Sequence, residues 1–210
     1  PAEVDEKVEV PGAEAGSVVI LVDGSGSMAG SDPERLRVNA IDMLSAELSD
    51  CSEHWSQSLF EFTTEASAGR LRYSRKLADF GSDTQHMTSA AAQLDEGGGT
   101  PLWDAAHEIM GDFKDAAEAH QDSLSEKELA ALLGENQDES AYARTLIIIS
   151  DGADTDSAKT VERVITSANN KNIRVHSIGI GPASDANLIN LQPRAIRDLR
   201  QLSLETDGYY

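Results

Sequence analysis

The sequence predicts an α/β fold, an open, doubly wound and mostly parallel sheet with one antiparallel edge strand and helices on both faces. Three observations predict it. Ser17–Val22 and Thr145–Ser150 are continuous apolar, β-branched runs, as strands buried on both faces should be, and each ends in Asp-Gly. Segments of helical periodicity lie between and after them. Ser58–Thr63 and Arg70–Arg75 alternate polar with apolar residues around a turn containing Gly69, as a hairpin at a sheet margin does.

Taken in order, residues 1–16 are acidic and punctuated by Gly and Pro, and read as a lead-in to a domain spanning 17–210. After the first strand comes Asp23-Gly-Ser-Gly-Ser-Met28. Asp32 as N-cap and Pro33 at the first helical position then start a helix with Leu36, Ala40, Ile41, Leu44 and Leu48 on one face. Arg70, Arg72 and Arg75 suit an exposed edge strand. A helix over about Thr84–Leu94 stops at Gly97-Gly98-Gly99, and Thr100 as N-cap with Pro101 at the first position starts a longer one. Residues 112–140 carry nine acidic residues against Lys114 and Lys127, and read as a surface excursion in which Ser125–Glu128 forms a capping box. The second buried strand leads into Asp151-Gly-Ala-Asp-Thr-Asp156, a helix over about 157–170, a strand over Ile173–Ile180 and a helix over Asn187–Leu204. The chain stops where a further strand begins, which reads as a piece of a larger, multidomain protein.

Composition narrows the function. With 37 acidic and 17 basic residues the net charge is −20, so nucleic acid and anionic membrane surfaces are repelled while cations and basic partners are favoured. The longest apolar runs are far too short to insert directly into a bilayer. Cys51 is the only cysteine, so neither an internal disulfide nor a thiolate zinc cluster is available, and it reads as an inert, partly buried thiol. Neither a P-loop lysine nor a Gly-x-Ser-x-Gly elbow occurs, and no histidine or lysine is tied to the motifs as a base, which sets a metal-dependent hydrolase well behind a non-enzymatic module.

In a doubly wound sheet, ligands bind beyond the carboxyl ends of the strands where strand order reverses. If the first strand neighbours Thr145–Ser150 across that reversal, Asp23, Ser25, Ser27, Thr100 and Asp151 converge. Their hard oxygens favour one divalent cation, Mg²⁺ ahead of Mn²⁺ or Ca²⁺. The hydroxyls add no charge, so two carboxylates leave the ion open to one more anionic oxygen, such as an Asp or Glu carboxylate of a protein ligand. Asp154 and Asp156 lack the glycine and distal glutamate of an EF-hand, and Asp156 or Ser157 reads as the cap of the next helix. Trp103 stands beside the site as rim or core, Met28 packs under the loop, and His176 reads as a packed strand residue.

Asp23-Gly-Ser25-Gly-Ser27-Met28, then Thr100 within Gly-Gly-Gly-Thr-Pro-Leu-Trp-Asp-Ala, then Ser150-Asp151-Gly, resemble the metal-ion-dependent adhesion site of von Willebrand factor type A domains of the integrin I-domain kind. The resemblance spans Ser17 to Tyr210 and includes Val175–Gly181 and Thr206–Tyr210. It implies a Rossmann-like fold in which Asp23, Ser25 and Ser27 anchor the ion while Thr100 and Asp151 alternate between direct and water-mediated contact. It also implies a role in cell adhesion or assembly, in an envelope or secreted setting. The family further admits cytoplasmic subunits of ATP-driven, chelatase-like machines.

Overall fold

The computed structural model describes residues 15–51, 54–66, 71–125, 128, 142–152, 154–181 and 193–210. Among the described residues five strands form one sheet in the order β3-β2-β1-β4-β5. They are β1 (Ala15–Asp23), β2 (Trp55–Phe62), β3 (Ser74–Ala78), β4 (Tyr142–Ser150) and β5 (Arg174–Gly179). The helices are α1 (Met28–Ser31), α2 (Leu36–Cys51), α3 (Thr84–Ala91), α4 (Leu102–Ser123), α5 (Val161–Asn170) and α6 (Pro193–Glu205). Only β3 is antiparallel to its neighbour, so the predicted fold class holds.

β1 is central because its side chains are apolar on both faces. Val19 and Leu21 join the core beneath α4, α5 and α6 together with Leu146, Ile148 and Phe113. Val18, Ile20 and Val22 join a second core with Ile41 of α2 and Met87 of α3. The two sets alternate because successive strand residues point to opposite faces. Phe113 is 1% exposed and stacks on Phe80 at 5.9 Å between ring centroids. Phe113→Ala is expected to lower unfolding free energy by about 3–5 kcal/mol, read as a lower urea midpoint at constant slope.

Several local expectations are corrected. β1 begins at Ala15, two residues before the predicted start, and the rest of the lead-in lies outside the described residues. β2 is not marginal: it lies between β1 and β3 and is buried almost throughout, Glu61 included, so of the two hairpin strands β3 alone lies at an edge of the described sheet. The Gly69 turn and Arg70 lie outside the described residues, and β3 starts later than predicted. α2 starts at Leu36, with Arg35 at φ +53 just before it. Asp32 still caps it, accepting the Leu36 amide at 2.6 Å and the Arg37 amide at 3.1 Å. Its inward face is Arg37, Ile41 and Ser45, and Leu36 is exposed.

The acidic stretch is not an excursion at its start, since residues 112–123 complete α4 and bury Phe113 and Ala117. The capping box forms, with the Ser125 amide donating to Glu128 Oε2 at 2.8 Å and the Glu128 amide to Ser125 Oγ at 3.3 Å. The remainder of that segment and the start of the last predicted helix lie outside the described residues. Cys51 is exposed rather than partly buried. His176 is packed as expected: its Nδ1 accepts the Tyr209 amide at 3.1 Å, and the two rings stack. No helix among the described residues is long and apolar enough to cross a membrane.

Candidate metal centre

β1 and β4 are neighbours, and the chain leaves them for opposite parts of the sheet, which makes their carboxyl ends the switch point. Asp23 is the last residue of β1, and Asp151 directly follows β4. Asp23 is fully buried. Its Oδ1 accepts the Ser25 amide at 2.9 Å and its Oδ2 the Ser150 hydroxyl at 2.6 Å. Burial pushes its carboxyl up to about 6, the Ser150 and Ser25 hydrogen bonds only partly offset this, and the nearby Asp151 charge adds to the rise.

The serine hydroxyls of the loop meet, Ser25 Oγ lying 3.0 Å from Ser27 Oγ. Ser25 is buried and Ser27 exposed, so the loop presents its far end to solvent. Met28 is buried beneath it. The neighbouring loop is tied on by two backbone bonds: the Gly97 amide donates to the Gly24 carbonyl at 2.9 Å, and the Gly26 amide to the Gly98 carbonyl at 3.0 Å. Gly98 has φ +75, and a Cβ there would lie 2.5 Å from Thr63 Oγ1. Gly98→Ala is expected to cost more than about 1 kcal/mol of stability, checked by thermal unfolding, because both backbone and neighbour oppose it.

Thr100 is buried, but it is not the N-cap of α4. That position is Pro101, and no side chain of its own caps the helix. The Ser157 hydroxyl supplies the cap instead, accepting the Trp103 and Asp104 amides at 2.9 and 3.0 Å. The Thr100 amide donates to Asp156 Oδ2 at 3.0 Å, and its carbonyl accepts the Thr155 amide at 3.1 Å. Neither Asp156 nor Ser157 caps α5, whose N-cap is Thr160. Trp103 belongs to the core, not to a rim.

Asp104 returns the clamp: it accepts the Ala158 amide at 2.8 Å, the Lys159 amide at 3.2 Å and Lys159 Nζ at 3.0 Å. Burial alone would raise its pKa, but the amides and the ammonium outweigh this and hold it below the ordinary carboxylate value. Asp151 Oδ2 accepts the Ser31 hydroxyl at 2.9 Å, joining β4 to the end of α1.

Three loops are therefore bonded to one another around the switch point. Asp23, Ser25 and Ser27 share one loop, Thr100 belongs to the second and Asp151 to the third. The sequence singled out these five but missed Ser150, Ser31, Ser157 and Asp104. Ser150 and Asp104 lie inside the quoted motifs, whereas nothing local marks Ser31 or Ser157. Among the described residues no three His, Cys, Asp or Glu side chains are grouped to hold a metal, Asp154 and Asp156 included. Metal binding at this edge would rest on mixed carboxylates and hydroxyls. Such hard oxygens, with a buried carboxyl bonded only to neutral donors, fit a divalent cation.

The fold and this loop cluster define a doubly wound domain with an oxygen-rich site at its switch point. The chain belongs to the von Willebrand factor type A domain family, whose model matches residues 17–199. Members of that family commonly serve as adhesion or protein-interaction modules and are typically not enzymes. Three solved structures are similar in fold. An aerotolerance-related membrane protein from Bacteroides fragilis NCTC 9343 is 15% identical, with 93% of this chain and 90% of that one covered and a TM-score of 0.56. The SpRpn10 VWA domain is 12% identical, with 93% and 85% covered and a TM-score of 0.52. The manganese-loaded TRAP protein of Plasmodium vivax is 20% identical, with 87% and 65% covered and a TM-score of 0.50. The comparison with curated proteins found no match.

Proposed function

We propose that this domain is a divalent-cation-dependent protein-binding module. Asp23, Ser25, Ser27, Thr100 and Asp151 hold one ion, Mg²⁺ first and Mn²⁺ or Ca²⁺ as alternatives, and an Asp or Glu carboxylate of a protein partner completes its coordination. The observation that carries the reading is the buried Asp23 carboxyl, met by neutral donors of Ser25 and Ser150, at a switch point where Ser27 stands exposed. A bound cation would offset the desolvation of that carboxyl and attract one more anionic oxygen. The manganese-loaded state of a TRAP protein with a similar fold supports the same choice of ligand class. The role is adhesion or assembly within a larger protein, and the chain's own residues position the ion rather than catalyse a reaction.

Calorimetric titration of chelator-stripped protein with Mg²⁺, Mn²⁺ and Ca²⁺ tests the reading. One saturable site for at least one of these ions is expected, and absence of binding for all three contradicts it.

A further inference from the structure

Segment Gln93–Glu96 runs directly into Gly97–Thr100, and charged side chains from elsewhere in the fold hold each of its four residues. Arg75 of β3 donates to the Gln93 carbonyl at 3.3 Å, and Arg35 to the Leu94 carbonyl at 2.6 Å. The Asp95 amide donates to Glu61 Oε1 of β2. Glu96 Oε1 accepts Arg37 Nη2 of α2 at 2.7 Å.

Two of these groups are buried. Arg37 is 0% exposed and also bonds Asp32 at 2.8 Å. Glu61 is 1% exposed, and its Oε2 accepts Arg75 Nε at 3.0 Å and Nη2 at 2.5 Å. Buried ion pairs are poor stabilisers, and apolar side chains of similar volume hold a helix or strand to a sheet at least as well. What an apolar side chain cannot do is bond a particular amide or carboxylate of a loop. Glu61 also touches the other loop: a Cβ on Gly24 would lie 2.7 Å from its Oε1.

We propose that Arg37 and Glu61 are positioning residues of the site. By fixing Gln93–Glu96 they set where Gly97–Thr100 stands against Asp23–Ser27, and so where Thr100 stands relative to Asp23. Oxygen ligands from separate loops must be held within about 0.5 Å of their working positions, which needs this kind of directional support. The role in ion binding rests on the cation reading above; the role in loop register does not.

The test uses the full chain and four variants. Arg37→Met and Glu61→Met remove the buried groups. Glu96→Ala cuts the Arg37 contact from its partly exposed end and keeps the experiment decisive if the other two fail to fold. Amide hydrogen exchange of the metal-free proteins is expected to show protection at Gly26 and Gly97 falling by about tenfold or more while Leu146–Ile149 keeps its own. Mn²⁺ affinity is expected to fall about 10–100-fold, with partial recovery of both readouts in Arg37→Lys. Unchanged protection at Gly26 and Gly97, or a loss shared equally by β4, overturns the proposal and leaves these residues as ordinary parts of the fold. If wild type binds no Mn²⁺ but the variants show the local loss, the cation reading fails and the positioning role stands.

Discussion

Asp23→Asn is expected to leave the domain folded and to weaken divalent-cation binding by about 100-fold or more, because it removes one of only two carboxylates in the set. Asparagine keeps the shape and can accept from the Ser25 amide, the bond that shapes the first turn of the loop. Metal-free, the variant should unfold at a temperature no lower than wild type. The buried Asp23 carboxylate is costly to ionise, its pKa standing at about 6, and an amide carries no such cost. Calorimetry with Mn²⁺ and thermal unfolding in chelator check the two halves. Retained affinity would exclude Asp23 as a ligand, and an unfolded variant would make its carboxyl structural.

Asp104→Ala is expected to cost about 2–4 kcal/mol at neutral pH, since it leaves two amides and the Lys159 ammonium without their acceptor. The sign of its pH dependence follows from the depressed pKa. Stability from a carboxylate held below its ordinary value of 3.8 is fully present above that value and is lost as pH falls through the lower folded value. The difference between wild type and variant should therefore be constant from pH 5 to 7, on this linkage roughly, and shrink in stronger acid. Urea unfolding across that range measures it. The variant should also weaken ion binding, because Ala158 and Lys159 continue the loop whose Thr155 amide holds the Thr100 carbonyl.

What the sequence made legible, and what it hid, divides along the range of the interactions. Asp23 and Asp151 could be placed because each directly follows an apolar run, Ser17–Val22 or Thr145–Ser150, that had to lie inside the sheet. Thr100 could be placed because the Gly-Gly-Gly run ahead of it and Pro101 after it force a break before a helix. The cap of α4 was misassigned because it comes from Ser157, beyond the whole of α4 and β4, and rules of local capping see only neighbours in sequence. The start of α2 moved for a related reason: Asp32 caps across a left-handed Arg35, a detour that Asp-Pro alone does not announce. β2 misled through Ser58 and Glu61, polar residues that alternation assigns to solvent but that are buried in a strand lying between β1 and β3. Arg37 was hidden in the same way, as a charge on what proved to be the inward face of α2.

Anomalous diffraction from crystals grown with Mn²⁺ tests the central claim most directly. The account predicts one strong peak at the carboxyl ends of β1 and β4, within about 2.0–2.6 Å of oxygens from Asp23, Ser25 and Ser27 or their bridging waters. A peak confined to Asp154 and Asp156, or none in crystals holding millimolar Mn²⁺, would contradict it.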